Sequence, residues 1–186
     1  MRVCVFCGSS PGKGPAYQAA AKRVGEVFAE RGIELVYGGA SVGTMGVVAD
    51  TVLEHGGKVH GVIPQSLVDR EVAHPGLTTL KVVADLHERK AAMSELADGY
   101  LTLPGGAGTL EELFEVFTWA QLGLHDKPIA LLDVGGYYQP MLRFLENMSA
   151  EGFLADDFRG MLIVTTEVTE ALDRFVDYRP PRTKWT

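Results

Sequence analysis

The chain lacks most of the features that would mark a membrane-bound, secreted or nucleic-acid-binding protein. None of its apolar runs reaches the roughly 18–20 residues needed to cross a bilayer. Its N-terminus, Met-Arg-Val-Cys-Val-Phe-Cys, has no signal-peptide layout and passes straight into a strand-like stretch. Basic residues are outnumbered, 17 Lys and Arg against 24 Asp and Glu, for a net charge of −7. With no basic block or interleaved aromatics, that balance argues against a nucleic-acid surface. Cysteine is scarce: Cys4 and Cys7 form a single C-x-x-C, and no second pair or histidine cluster completes a zinc site. Redox pairs of this spacing sit at a helix N-terminus, whereas Cys4 falls inside the strand pattern, so a buried thiol followed by a loop residue is expected. Linkers, low-complexity segments and short repeats are missing too. One cytoplasmic domain over residues 1–186 is therefore expected, an enzyme or a binding protein.

Two familiar nucleotide signatures are also absent. The glycines at 38, 39, 43 and 46 do not fall into G-x-G-x-x-G, and a Walker loop would need lysine where Thr44 follows Gly43. Ordinary ATP or GTP hydrolysis is excluded on that ground. Gly38–Gly46 is left as either a tight turn with close helix–strand packing or a phosphate or ribose cradle of another kind.

What the chain does contain is a regular alternation of strand and helix patterns. Strands are expected at 2–6, 34–37, 58–63, 79–83, 100–103, 128–132 and 162–165. Helices are expected at 16–31, 43–55, 85–97, 109–122, 138–151 and 168–178, with residues 65–78 as a polar connection. Repeated βα order with near-continuous apolar strands predicts an α/β protein, a Rossmann-like doubly wound parallel sheet flanked by helices as an α/β/α sandwich. Every strand-to-helix loop of such a sheet leaves at its carboxyl edge, where these folds bind ligands. The richest stretches gather there: Cys7–Gly14, Gly38–Gly46, Asp85–Lys90 and Pro104–Glu112.

Pro104-Gly-Gly-Ala-Gly-Thr-Leu-Glu-Glu112 is the most informative of these. Its glycines allow a backbone to approach a ligand closely and to aim N–H groups at an anion. Two glutamates follow within the first helical turn, which suits chemistry on a phosphorylated substrate better than nucleotide storage. Thr109-x-x-Glu112 also reads as a capping box, with Thr109 as N-cap. The helix N-terminus favours an ionised Glu112 by about 0.3–1 kcal/mol, which suits a general base or stabilisation of a positive transition state. Glu111 is the less favoured neighbour. One helix upstream, spacing places Arg89 or Lys90 in the apolar stripe of Leu86, Met93 and Leu96, either as a structural ion pair or as a cation aimed at substrate. His74 and His87 are expected as polar wall residues, and Trp119 as a core residue or an anchor for a second subunit.

These residues resemble the Lonely Guy family of cytokinin riboside 5′-monophosphate phosphoribohydrolases, long described as possible lysine decarboxylases. P-G-G-x-G-T-x-x-E at Pro104–Glu112 carries the likeness together with His87-Glu-Arg-Lys-Ala-Ala-Met93. Cys7-Gly-Ser-Ser, Tyr37-Gly-Gly, Gly43-Thr-Met-Gly46 and Thr118-Trp-Ala-Gln-Leu-Gly123 match in order. The resemblance implies hydrolysis of the N-glycosidic bond of an N6-modified AMP, releasing the base and ribose 5-phosphate without metal or organic cofactor. It implies Arg89 and Glu112 as catalytic residues and a phosphate site at Gly105, Gly106, Ala107, Gly108 and Thr109. Further substrate contacts are implied at Gly8, Ser9, Gly38, Gly39, Gly43 and Met45, and at Glu71, Lys90, Leu110, Glu111 and Thr118. Ala107 stands where many members carry a larger or aromatic residue, and Ala40 where a third glycine often occurs. A homodimer is implied as well, with Thr118–Gly123 near the partner's site. A non-hydrolytic nucleotide-binding protein, with Glu112 only a cap, is the competing expectation.

Overall fold

The computed structural model describes residues 1–70 and 72–181. Seven strands form one parallel sheet: β1 (Arg2–Phe6), β2 (Glu34–Tyr37), β3 (Val59–Pro64), β4 (Thr79–Val83), β5 (Gly99–Thr102), β6 (Ile129–Leu132) and β7 (Leu162–Thr165). Their order is β4-β3-β2-β1-β5-β6-β7. Winding runs outward from β1 to β4, then restarts on the other side of β1 with β5. The topological switch therefore lies between β1 and β5, where open α/β sheets form their crevice.

Alternation along each strand builds two cores. Val3 and Val5 of β1, Leu35 and Tyr37 of β2 and Leu101 of β5 point to one face. That face is covered by α1 (Ala16–Glu30), α2 (Gly43–Glu54) and α8 (Val168–Val176), through residues such as Val24, Phe28, Val48, Val52 and Leu172. Cys4, Phe6, Val36, Tyr100 and Leu131 point the other way. They meet α4 (Leu86–Leu96), α5 (Ala107–Gln121), α6 (Gln139–Ala150) and the short α7 (Asp156–Arg159). Cys4 and Cys7 thus belong to opposite cores, and both are free thiols. Burial pushes Cys7 up to about 12, so the C-x-x-C is packing, as the strand pattern implied.

Four features depart from the sequence reading. The polar connection after β3 contains a helical turn, α3 (Gln65–Val68), and α7 had no periodic signal because four residues are too few to show one. Edge strand β4 is exposed at four of its five positions, including Leu80 and Val82. Helix α5 begins two residues early, at Ala107, with Gly106 as its N-cap.

At the amino edge of the sheet, remote from the crevice, Glu34 gathers charge. Arg2 Nε lies 2.8 Å, His60 Nε2 3.0 Å and Lys58 Nζ 3.3 Å from its carboxylate. Arg2 above all, then His60 and Lys58, hold Glu34 down at about 2, against an ordinary value of 4.5. A depressed carboxylate stabilises the fold above its unfolded pKa, and that stabilisation is lost as pH falls through the folded value. Glu34→Gln is expected to lower the melting temperature at neutral pH, with the gap from wild type closing between about pH 4.5 and 2. A gap independent of pH would show that the charge of Glu34 is not what joins these strands.

Candidate active site

The loops after β1, β2 and β5 enclose a cavity of about 410 Å³ at the switch point. Its lining brings together Ser9, Gly38, Met45, Arg89, Gly106, Ala107, Gly108, Thr109 and Glu112, nine of the residues singled out in the sequence. A second cavity of about 290 Å³ adjoins it through Ser9 and Gly106 and takes in Gly8 and Gly105. Tyr137 closes the second cavity, donating from its hydroxyl to the Gly105 carbonyl at 2.5 Å.

The helix N-termini at this edge are not equivalent. At α2, Thr44 N–H, Thr44 Oγ1 and Met45 N–H all donate to the Gly8 carbonyl, at 3.1, 3.1 and 3.3 Å. The Thr44 and Met45 amides at the start of α2 are thus spent on the neighbouring loop. At α5 no side chain caps the helix, and its first N–H groups have no intrahelical acceptor. Those of Ala107, Gly108 and Thr109 border the larger cavity, with the positive end of the helix behind them. Thr109 is not the N-cap that the capping-box pattern predicts. It sits inside the helix and its Oγ1 donates to the Cys7 carbonyl at 3.1 Å, pinning α5 to the end of β1.

Glu112 is accordingly released from capping and faces α4. Arg89 Nη2 stands 3.2 Å from its Oε1, and each side chain is only 13% exposed. The adjacent Lys90 turns to other acceptors, Glu111 and Glu115, the latter at 3.0 Å. Arg89 and Lys90 therefore both lie inward, Arg89 on Glu112 and Lys90 on Glu111 and Glu115, so both candidates for the stripe are realised. Burial lowers the Lys90 ammonium's pKa, but the hydrogen bonds it donates to Glu111 and Glu115 outweigh that and hold the group above its ordinary range. A protonated, ion-paired lysine is a poor nucleophile.

The ionisation of Glu112 corrects the sequence expectation. Burial pushes the carboxyl up, Arg89 pulls it back, Glu111 pushes up and Lys90 pulls down, leaving it at about 7. The helix terminus alone, worth about 0.3–1 kcal/mol, does not offset removal of the carboxylate from water. Glu112 is poised between its two forms at neutral pH rather than held anionic. If it acts as the ionised group, kcat is expected to rise with pH through about 7 and level off above it. A flat kcat profile from pH 5 to 9 would show that Glu112 does not titrate in the bound complex.

Other candidates fall outside the cavities. Leu110 packs against the core below α5, Gly39 and Gly43 shape the turn behind the wall, and Thr118 is exposed near the far end of α5. Glu71 lies outside the described residues. His74 is buried, with Nε2 2.9 Å from Asp50, and His87 is exposed on α4, so neither is a wall residue. Sequence reasoning missed the apolar wall of Ala40, Val42, Leu67 and Val72. The only signal for it was the pair Val42 and Met45 interrupting a glycine-rich loop.

A doubly wound α/β fold with an uncapped helix N-terminus beside a buried Arg–Glu pair defines the class, an α/β protein with a charged crevice at its topological switch. The family model described as possible lysine decarboxylase matches residues 45–175. Among curated relatives, the cytokinin riboside 5′-monophosphate phosphoribohydrolase of Arabidopsis thaliana is 49% identical over 180 residues, covering 96% of this chain and 82% of that protein. One from Oryza sativa subsp. japonica is 48% identical over 179 residues, covering 96% and 74%. The chain belongs to this family, the Lonely Guy family. The molybdenum cofactor carrier protein of Chlamydomonas reinhardtii shares the fold, with a TM-score of 0.70 at 19% identity, covering 95% of this chain and 96% of that one.

Proposed function

We propose that this chain hydrolyses the N-glycosidic bond of AMP-type nucleotides, including N6-modified AMP, releasing the free base and ribose 5-phosphate. The observation that carries this reading is the Arg89–Glu112 pair, 3.2 Å apart in the wall of a cavity that also exposes the N-terminus of α5. The 5′-phosphate sits on the N–H groups of Ala107–Thr109, with the nucleoside extending toward Glu112. Cleavage builds oxocarbenium character on the ribose, which an adjacent carboxylate stabilises. Glu112 also orients the attacking water and takes its proton. The water's hydroxyl ends on C1′ and its proton on the departing base, so a group near pKa 7 suits both halves of the transfer. Arg89 contacts phosphate or ribose and moderates the carboxyl. No metal or organic cofactor takes part. The apolar wall of Ala40, Val42, Met45, Leu67 and Val72 accommodates a base with an apolar N6 substituent.

The relatives' named activity supports the reading, and the state of Lys90 disfavours a decarboxylase that would use it in a Schiff base. Incubation with AMP and with N6-isopentenyl-AMP, followed by chromatography for free base, tests the assignment. Tight binding of both without release of either base would make the protein a nucleotide-binding module instead.

The active form in this reading is a homodimer. Apolar surface left uncovered at the end of α5 supports it: Leu124 is 68% exposed and Leu122 40%, beside the half-buried Trp119. Exposed Leu80 and Val82 on β4 offer a second such surface. Light scattering at micromolar concentration is expected to give twice the mass of the 20.1 kDa chain; a monomer would count against the dimer. A cytoplasmic location goes with two free, buried cysteines. Among the described residues no helix is long and apolar enough to cross a membrane.

A further inference from the structure

We infer that Gly38 is a positioning residue of the catalytic pair, its missing side chain being the slot that holds the Arg89 guanidinium against Glu112. The inference rests on Arg89 and Glu112 being the reacting pair.

Three observations meet at this point. A Cβ built on Gly38 would find three atoms nearest it, all of Arg89: it overlaps Nη2 outright and stands 3.0 Å from Cζ and 3.5 Å from Nε. Nη2 is also the nitrogen that faces Glu112 Oε1 at 3.2 Å. The guanidinium is therefore clamped between a bare α-carbon at the end of β2 and a carboxylate on α5. Third, no other tether is found for it among the described residues, where Nε is buried and has no hydrogen-bond partner. Among those residues its position along the cavity wall is set by packing on Gly38 and by the ion pair with Glu112.

The backbone at Gly38 lies outside the left-handed region, so an alanine there meets no conformational penalty. The demand for glycine is one of space. What an added methyl displaces is the tip of a long side chain and not backbone, so the fold absorbs the change while the ion pair does not. The guanidinium would have to retreat by about 1.5–2 Å to restore ordinary contact of about 3.5–4 Å, and retreat from Gly38 changes its distance to Glu112. The other charged and titratable groups around Glu112 stay where they are: Lys90 on α4, Glu111 and Glu115 on α5, Cys4 on β1 and Cys7 just after it. Only the Arg89 contribution is altered.

The test is Gly38→Ala, with kcat and KM for AMP measured from pH 5 to 9. The acid limb of kcat is expected to move upward by about one pH unit, since an opposite charge at this range shifts a carboxyl by about 1–3 units. At pH 7 that shift lowers kcat about fivefold, with melting temperature held within a few degrees. A raised KM with an unmoved limb would make Gly38 a substrate contact only and would overturn the inference. Should Gly38→Ala fail to melt cooperatively, adding Arg89→Lys is expected to restore the transition, because lysine has no Nη2 to collide; no restoration would equally overturn it. Failure of the underlying reading looks different: Glu112→Gln then keeps its turnover, whatever Gly38→Ala does.

Discussion

Glu112→Gln is expected to abolish base release from AMP-type substrates, lowering kcat by about 10³-fold or more. That figure corresponds to about 4 kcal/mol of transition-state stabilisation and falls within the range for a lost general base or charge stabiliser. Glutamine keeps the volume and planarity of the side chain, so α4 and α5 still pack and the melting temperature should stay within a few degrees. It cannot carry the charge that stabilises a ribosyl cation, nor accept a proton from water. It also cannot titrate, so any residual activity should lose its dependence on a group near pKa 7. Binding of AMP, followed by calorimetry, is expected to survive, because in the proposed site the backbone of α5 holds the phosphate. Turnover in Glu112→Gln within a few-fold of wild type would remove this residue from the mechanism, and with it the reading of the site.

The largest loss of stability is expected from Gly43→Ala. Gly43 holds φ +58 at the start of α2, and a Cβ there would lie 2.5 Å from Ser10 N and 2.7 Å from the Gly8 carbonyl oxygen. Both obstacles are backbone, so no rotamer change relieves them. The Gly8 carbonyl is also the acceptor for Thr44 and Met45, and driving the loop away breaks the contact that seats α2 on β1. Left-handed strain of about 1–2 kcal/mol and the overlap together are expected to cost about 3 kcal/mol. For a chain of this size that is a fall in melting temperature of about 6–12 °C. Ser9 and Met45 both line the main cavity, so kcat/KM should fall as well. A melting temperature within about 2 °C of wild type would show that the two loops slide apart freely and that the turn is not a structural fixture.

Much of the architecture is legible in the residues themselves. Strand alternation such as Val3, Cys4, Val5, Phe6 divides the two cores, and all seven strands carry enough β-branched or apolar residues to be placed within about a residue. Strand β4 is the instructive case: its pattern marks a strand, but nothing in Thr79–Val83 says that most of it stays exposed at a sheet edge. The start of α5 is misjudged because Thr109 and Glu112 stand at capping-box spacing. The tertiary demand of Arg89 on Glu112 and of the Cys7 carbonyl on Thr109 overrides that local preference. That Arg89 and Lys90 both turn inward is not evident from spacing alone, since adjacent helix positions differ by about 100° and the carboxylates that receive them, Glu111, Glu112 and Glu115, come from α5. The ionisation of Glu112 depends on how completely α4 seals it from water, a property of packing between elements. The apolar wall escapes notice because Ala40, Val42, Leu67 and Val72 come from loops and a single helical turn, where no period exists to read.

One connection in the sheet has a kinetic consequence. Helix α4 carries the chain from edge strand β4 back across β3, β2 and β1 to β5, and Arg89 and Glu112 lie on the helices immediately before and after β5. Arg89 is seated against Gly38 at the end of β2 and α5 is pinned to the Cys7 carbonyl after β1, so the site is assembled only once β5 has docked beside β1, closing a loop that spans the first half of the chain. Contacts of that kind are slow to form, because chain entropy is lost before they reward it. During refolding, catalytic competence should therefore return after the bulk of the helical signal. Activity, more than secondary structure, would time the moment at which the two halves of the sheet join.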